Sequence, residues 1–199
     1  MAAALGLIPA CSSNTDHPNQ PGHNEMSFRW VAGPGADLSS SDATFVRAFI
    51  ESQTRYMASG DNSSLYPGFT EANSAVKLST VTTAWRRTQL MGLAEITTLP
   101  DGTGRATVCE WWNKPSSPGF AYLYYTRQGS FPLPDQRGPS VRPNRNVFGH
   151  WTATKENNTV ELGDDYQKVA TACQALTPPI GDFPSSDATV QPPVPGWPS

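Results

Sequence analysis

The sequence predicts an α+β domain, with one long helix first, short helical turns next and an antiparallel meander of strands after them. Three observations carry this. Asp42–Ser59 repeats apolar residues at helical spacing. From Gln89 onward the period shifts towards two, with Pro100-Asp101-Gly102 as a turn between two runs. The 199 residues include 19 prolines and 16 glycines, and only 16 % are charged, a composition that limits helix content.

In chain order, Phe45, Val46, Phe49, Ile50, Tyr56 and Met57 form one apolar stripe. Ser41 or Asp42 can cap the helix, and Gly60 sits where a left-handed cap belongs. The polar residues between predict a helix packed on one face only. Short helical turns are expected at Leu65–Tyr66 and Phe69–Lys77, then an irregular or helical path to Trp85. Strands are expected at 89–99, 105–112, 120–127 and 147–155, and one or two more within 159–173. Residues 128–146 are too rich in proline for a central strand and read as a long loop. Met26–Val31 is a short apolar stretch suited to an edge strand or a clasp. Beyond Leu176 the prolines exclude helix and sheet, leaving an extended or disordered tail with Trp197 near its end.

The net charge of −3 argues against nucleic acid, which needs a concentrated basic surface. No apolar run approaches the roughly 20 residues of a spanning helix. Three cysteines leave one over; the economical reading pairs Cys109 with Cys173 and gives Cys11 another task. Ile8-Pro9-Ala10-Cys11 resembles a bacterial lipobox: an aliphatic residue three before the cysteine, a small residue just before it, then the cysteine. Lipidation at Cys11 would moor the chain by several acyl chains, and the polar stretch after it suits a tether. The competing reading is an incidental cysteine in an unstructured N-terminus. The expected layout is thus a truncated lipoprotein signal segment (1–11), a flexible tether (12–40), a folded domain (41–176) and a proline-rich tail (177–199).

The helix ending in Tyr56-Met57-Ala58-Ser59-Gly60-Asp61, the strand Ala106-Thr107-Val108-Cys109-Glu110-Trp111-Trp112 and the closing Val169-Ala170-Thr171-Ala172-Cys173 resemble a known group. It comprises secreted proteins and lipoproteins of actinobacteria and their phages. Their fold is similar to nuclear transport factor two and to SnoaL/ketosteroid-isomerase-like proteins. The resemblance covers about residues 42–176 and implies a curved sheet wrapping the long helix into a cone, with a pocket at the wide end. Two features depart from it. Asp165-Tyr166 stands where a Gly-x-Trp hairpin is usual, and the 128–146 excursion is long. A Cys109–Cys173 bond agrees with the resemblance and would tie a last strand to the middle of the sheet. Closing that loop contributes roughly 4 kcal/mol, and export permits the bond.

Chemistry is sparse. His17 and His23 lie in the tether, where nothing preorganises a metal site, and His150 is expected beside Trp151 in a strand. Cone-fold enzymes place a tuned carboxylate in the pocket. Candidates are Asp61, Glu95 and Glu110, with Tyr56 or Tyr124 as donors. Strand alternation sets Glu110 on the face of Val108 and Trp112; the residue is read as an edge position in water, with an inward-facing carboxylate, should Val108 point inward, as the alternative. No catalytic residue, cofactor or metal is assigned. The expected role is a non-enzymatic binding or accessory module on the outer face of a bacterial cell membrane, meeting an envelope protein or a second copy of itself. Two alternatives stay open: a carrier of a small apolar molecule or lipid, and a SnoaL-like lyase or isomerase. Candidate pocket or interface residues are Tyr56, Trp85, Glu110, Trp111, Trp112, Tyr122, Tyr124 and Trp151.

Overall fold

Side-chain alternation organises the body around one sheet with a different core on each face. The computed structural model describes residues 26–80, 87–111, 118–176 and 190–199. The elements run β1 (Ser27–Gly35), α1 (Ser41–Ser59), a 3₁₀ turn (Asn62–Ser64), α2 (Phe69–Ala72), β2 (Thr88–Thr98), β3 (Gly104–Trp111), β4 (Gly119–Thr126) and β5 (Thr152–Asn158). A second 3₁₀ turn (Gly163–Asp165) leads into α3 (Tyr166–Ala175). The strands lie in chain order in one sheet. β2 to β5 pair antiparallel, while β1 pairs parallel with β2. The sheet is therefore mixed, not wholly antiparallel. The α1 crossover between β1 and β2 returns the chain to the end from which β1 started, and that connection imposes parallel pairing.

β1 corrects two further expectations. The stretch 12–40 is not all tether, and α1 is not the first element. Of the short helices, the first occupies Asn62–Ser64 and the second stops at Ala72. β2, β3 and β4 fall where alternation places them, and the Pro100–Gly102 turn closes with Gly102 at φ 84°. β5 begins five residues later than expected and takes in Glu156–Asn158, which read as a turn. The largest correction is α3. Residues 166–175 are helical, not strand, so Cys173 reaches the sheet from a helix.

Alternation on β3 separates the two cores. Ala106 and Val108 face α1; Cys109 and Trp111 face α3. On β4, Leu123 and Tyr125 face α1, whereas Phe120 and Tyr122 face α3. The smaller core is stapled by the Cys109–Cys173 disulfide, with S–S 2.00 Å and Cα–Cα 5.6 Å. The predicted pairing holds, though the bond ties a covering helix, not a strand, to the middle of the sheet.

α1 is capped by Ser40, whose side chain accepts from the Ala43 N–H at 3.1 Å, and ends at Gly60 in the left-handed region. The helix was expected to bury one face. Instead every residue from Ala43 to Arg55 is buried. Its polar face carries Arg47, Glu51 and Arg55, spaced by four and 0 %, 1 % and 0 % exposed. Glu51 accepts from Trp30 Nε1 at 2.8 Å, Tyr66 Oη at 2.7 Å and Trp197 Nε1 at 2.7 Å. Arg47 donates to the carbonyls of Gln136 at 3.1 Å and Pro195 at 2.7 Å. Arg55 donates to those of Met26 at 2.5 Å and Val141 at 2.8 Å.

Trp197 is thus no loose end of a disordered tail. It is 1 % exposed, with its ring 4.5 Å from the Arg47 guanidinium. Backbone bonds hold it on both sides: Trp197 and Ser140 exchange N–H···O contacts of 2.8 and 3.0 Å, and Val194 bridges Phe28 and Trp30. Residues 190–199 form isolated bridges and no named helix or strand, but burial needs only that each backbone group find a partner. Trp197→Ala is expected to lower the unfolding free energy by roughly 3–5 kcal/mol, the range for deleting a buried aromatic, read as a drop in the urea midpoint by circular dichroism. A midpoint matching wild type would remove the C-terminal segment from the fold.

Candidate functional site

Packing along α1 changes character part-way. Near its start, Phe45 stacks among Phe49, Tyr125, Phe148 and Trp151, with ring centroids 5.0–6.1 Å apart. Towards its end, Gln53, Thr54 and Met57 face the beginning of β4 and the end of β5 across a cavity of about 570 Å³. Glu110, Phe120, Ala121, Glu156 and Asn158 contribute to the opposite wall, and Val76, Lys77 and Glu161 to the rim.

Strand register decides which of these side chains point inward. Glu156 lies opposite Leu123, a residue of the α1-side core, so it faces α1. Glu110 shares the face of Val108, two residues before it. Lys155 points the other way, with its Nζ 5.7 Å from the centroid of the Tyr124 ring. Inside, Gln53 Nε2 donates to Glu156 Oε2 at 2.6 Å. Burial pushes the Glu156 carboxyl above the ordinary carboxylate range; the Gln53 hydrogen bond opposes the rise, and the charge of Glu161 adds to it. Glu161 itself accepts from the Asn158 N–H at 3.1 Å.

The candidates from sequence divide sharply. Glu110 lines the cavity. Tyr56 is half-buried near the end of α1. Trp111 and Tyr122 are buried beneath α3, and Tyr124 packs at the edge of that core. They form no exposed aromatic sheet face, because α3 covers it. Trp151 is buried in the α1-side core, with Phe131 edge-on against it. Trp85 and Trp112 lie outside the described residues, as do Cys11, His17 and His23. Asp61 is exposed and caps the first 3₁₀ turn through Ser63 N at 2.8 Å. Glu95 pairs with Thr107 on β3, away from the cavity. His150 is exposed in the turn before β5, not in a strand, and its Nδ1 lies 2.7 Å from Ser130 Oγ. Among the described residues, no three His, Cys, Asp or Glu side chains could hold a metal ion, and no helix is long and apolar enough to cross a membrane.

No protein-family model, curated protein or solved structure matches this chain. The reading of the site therefore rests on its own geometry.

Gln53 and Glu156 were the residues that sequence reasoning missed. A signal for the first exists: Phe45, Phe49 and Gln53 are spaced by four, so an amide continues the apolar stripe and needs a buried partner. Glu156 was hidden by the reading of 156–158 as a turn.

The raised carboxyl sets the sign of a pH effect. Folding favours protonation of Glu156, so its ionised form subtracts stability. That loss is absent at pH values below the ordinary carboxylate range and grows as pH rises to and through the raised folded-state value. Glu156→Gln is therefore expected to unfold at higher urea than wild type at neutral pH, with the gap closing as pH falls below about 4.5. Parallel midpoint–pH curves for the two proteins would overturn this assignment.

Proposed function

We propose that this protein is an extracytoplasmic binding module, moored to the outer face of a bacterial cell membrane through acylated Cys11, whose body receives a small polar molecule between α1 and β3–β5. The observation that carries the binding reading is the cavity of about 570 Å³ with the Gln53–Glu156 pair in its wall. Its volume falls in the range of small-molecule sites, and such sites combine apolar walls with a few placed polar groups. Met57 and Ala121 offer carbon surface here. The polar lining weighs against a lipid or other wholly apolar cargo. The covered aromatic face weighs against docking through that face.

Export is supported by the lipobox-like residues and by the Cys109–Cys173 bond, which an oxidising compartment permits. A cone of the SnoaL type is supported by the order of a helix followed by an antiparallel run of strands and by a cavity at one end of that helix. The parallel β1 and the helical α3 count against a simple transfer of that fold.

A second reading, a lyase or isomerase, is favoured by one observation: the raised Glu156 carboxyl beside a cavity is the kind of group that serves as a general acid or base.

The protein purified under mild conditions from its own membrane is expected to carry a non-covalent small molecule by native mass spectrometry. Ala121→Phe, which fills the cavity from β4, should lose it while keeping the wild-type circular dichroism spectrum. Cys11→Ala should leave the protein in the soluble extracytoplasmic fraction. A wild type that carries nothing, or a ligand retained by Ala121→Phe, would remove the binding reading; an unacylated, freely soluble wild type would remove the anchor.

A further inference from the structure

We propose that the ligand of the cavity is a small organic cation, an amine or amidine, whose charged nitrogen sits against the Glu156 carboxylate. This rests on the binding reading above and names the class of molecule bound.

Glu156 faces α1 from β5, and its hydrogen-bond partner among the described residues is a neutral amide, Gln53 at 2.6 Å. A carboxylate withdrawn from water is costly unless a cation or several donors compensate it. The nearest basic residue in sequence, Lys155, is held over Tyr124 on the other face of the sheet. Lys77 is exposed on the rim. The exposed Glu161 also borders the space. The interior thus presents the Glu156 carboxylate to whatever enters, beside the carbon surface of Met57 and Ala121.

The fully buried carboxylate, Glu51, differs from the partly buried Glu156. Glu51 receives three donors and lies between two arginines, so it needs nothing from outside. Among the described residues Glu156 has a single neutral donor, Gln53, and it borders a cavity large enough for a guest. A hard metal ion would require several oxygen ligands arranged around it, and no three His, Cys, Asp or Glu side chains among the described residues are so arranged. An organic cation needs a single charged contact and room for its body, and the cavity offers both.

The test is titration calorimetry of the whole protein with benzylamine and putrescine as amine probes, and with benzyl alcohol as the neutral counterpart of benzylamine. Benzylamine is expected to bind at least roughly tenfold tighter than benzyl alcohol, the scale of one charge-assisted contact. Glu156→Gln should abolish that preference without lowering the urea midpoint, and Ala121→Phe should abolish binding of both. Glu161→Gln, at an exposed position, should weaken the amines by a smaller factor and serves if Glu156→Gln does not fold. Equal binding of amine and alcohol, or a preference that survives Glu156→Gln, would overturn the cation while leaving the binding reading standing. A folded protein that binds neither probe and carries no small molecule from its membrane would overturn both.

Discussion

Glu51 is the constraint from which the arrangement of the rest follows. A carboxylate buried in the middle of a helix must be compensated at the place where it lies. Here Trp30 from β1, Tyr66 from the segment between the helices and Trp197 from the C-terminus each bring one donor to it. Those three residues come from widely separated parts of the chain, so satisfying one side chain fixes the relative placement of three segments. Arg47 and Arg55, one turn to either side, extend the same logic to backbone. Their guanidinium groups take up carbonyls of Met26, Gln136, Val141, Pro195 and Gly196, in segments that make few ladder bonds of their own. Replacing such a cluster by apolar residues is often neutral or stabilising. What the charges add here is direction: an apolar patch would accept a tryptophan in many poses, and Glu51 and Arg47 accept Trp197 in one.

The position of β1 shows why the C-terminal segment is recruited. β1 lies at the end of the sheet, paired with β2 on one side. An open edge of that kind is a template for pairing with another chain. Val194 occupies it through bonds to Phe28 and Trp30, and the prolines beside Val194 cannot extend the ladder further. The edge is thus closed by a segment that offers little edge of its own. On the opposite face the problem is different, since α3 is short and presents few apolar residues to the sheet. The disulfide from Cys173 to Cys109 supplies there what packing area does not.

The legible parts of the fold were those governed by local periodicity. α1 shows its stripe and its Gly60 stop, and β2 and β3 show alternation around a Pro-Asp-Gly turn. α3 carried a helical signal as well: Val169, Ala170, Cys173 and Leu176 recur at helical spacing and are the residues it buries against the sheet or just beyond its end. The preceding Thr159-Val160 and the expectation of a closing strand concealed that period. The parallel pairing of β1 was not legible, because it depends on where a crossover returns, and no window of sequence contains that. Nor was the burial of Trp197, since the partners that hold it are far away along the chain. The polar face of α1 did contain its own warning. Arg47, Glu51 and Arg55 are spaced by four like Phe45 and Phe49, and an acid between two bases at that spacing forms a stripe of its own. Whether such a stripe meets water or protein depends on what else packs there, which periodicity does not say.

The cavity follows from a gradient in side-chain size. Along the buried face of α1 the sequence passes from Phe45 and Phe49 to Gln53 and Met57. Across from it, β4 passes in the opposite chain direction from Tyr125 and Leu123 to Ala121 and Gly119. Large residues therefore meet large ones near the start of the helix, where the aromatic cluster closes without space for a guest. Small residues meet an amide and a thioether near its end, and among the described residues no side chain between them fills the gap. Interiors are otherwise packed as densely as organic crystals, so a void of this size is a property of these residues and not of the fold in general. Enlarging Ala121 would erase it without touching the helix. The same gradient accounts for the ionisable group: Glu156 can occupy the β5 position next to Gln53 only because the small side chains leave it room. Size along two elements thus sets both the shape of the cavity and the chemistry it presents.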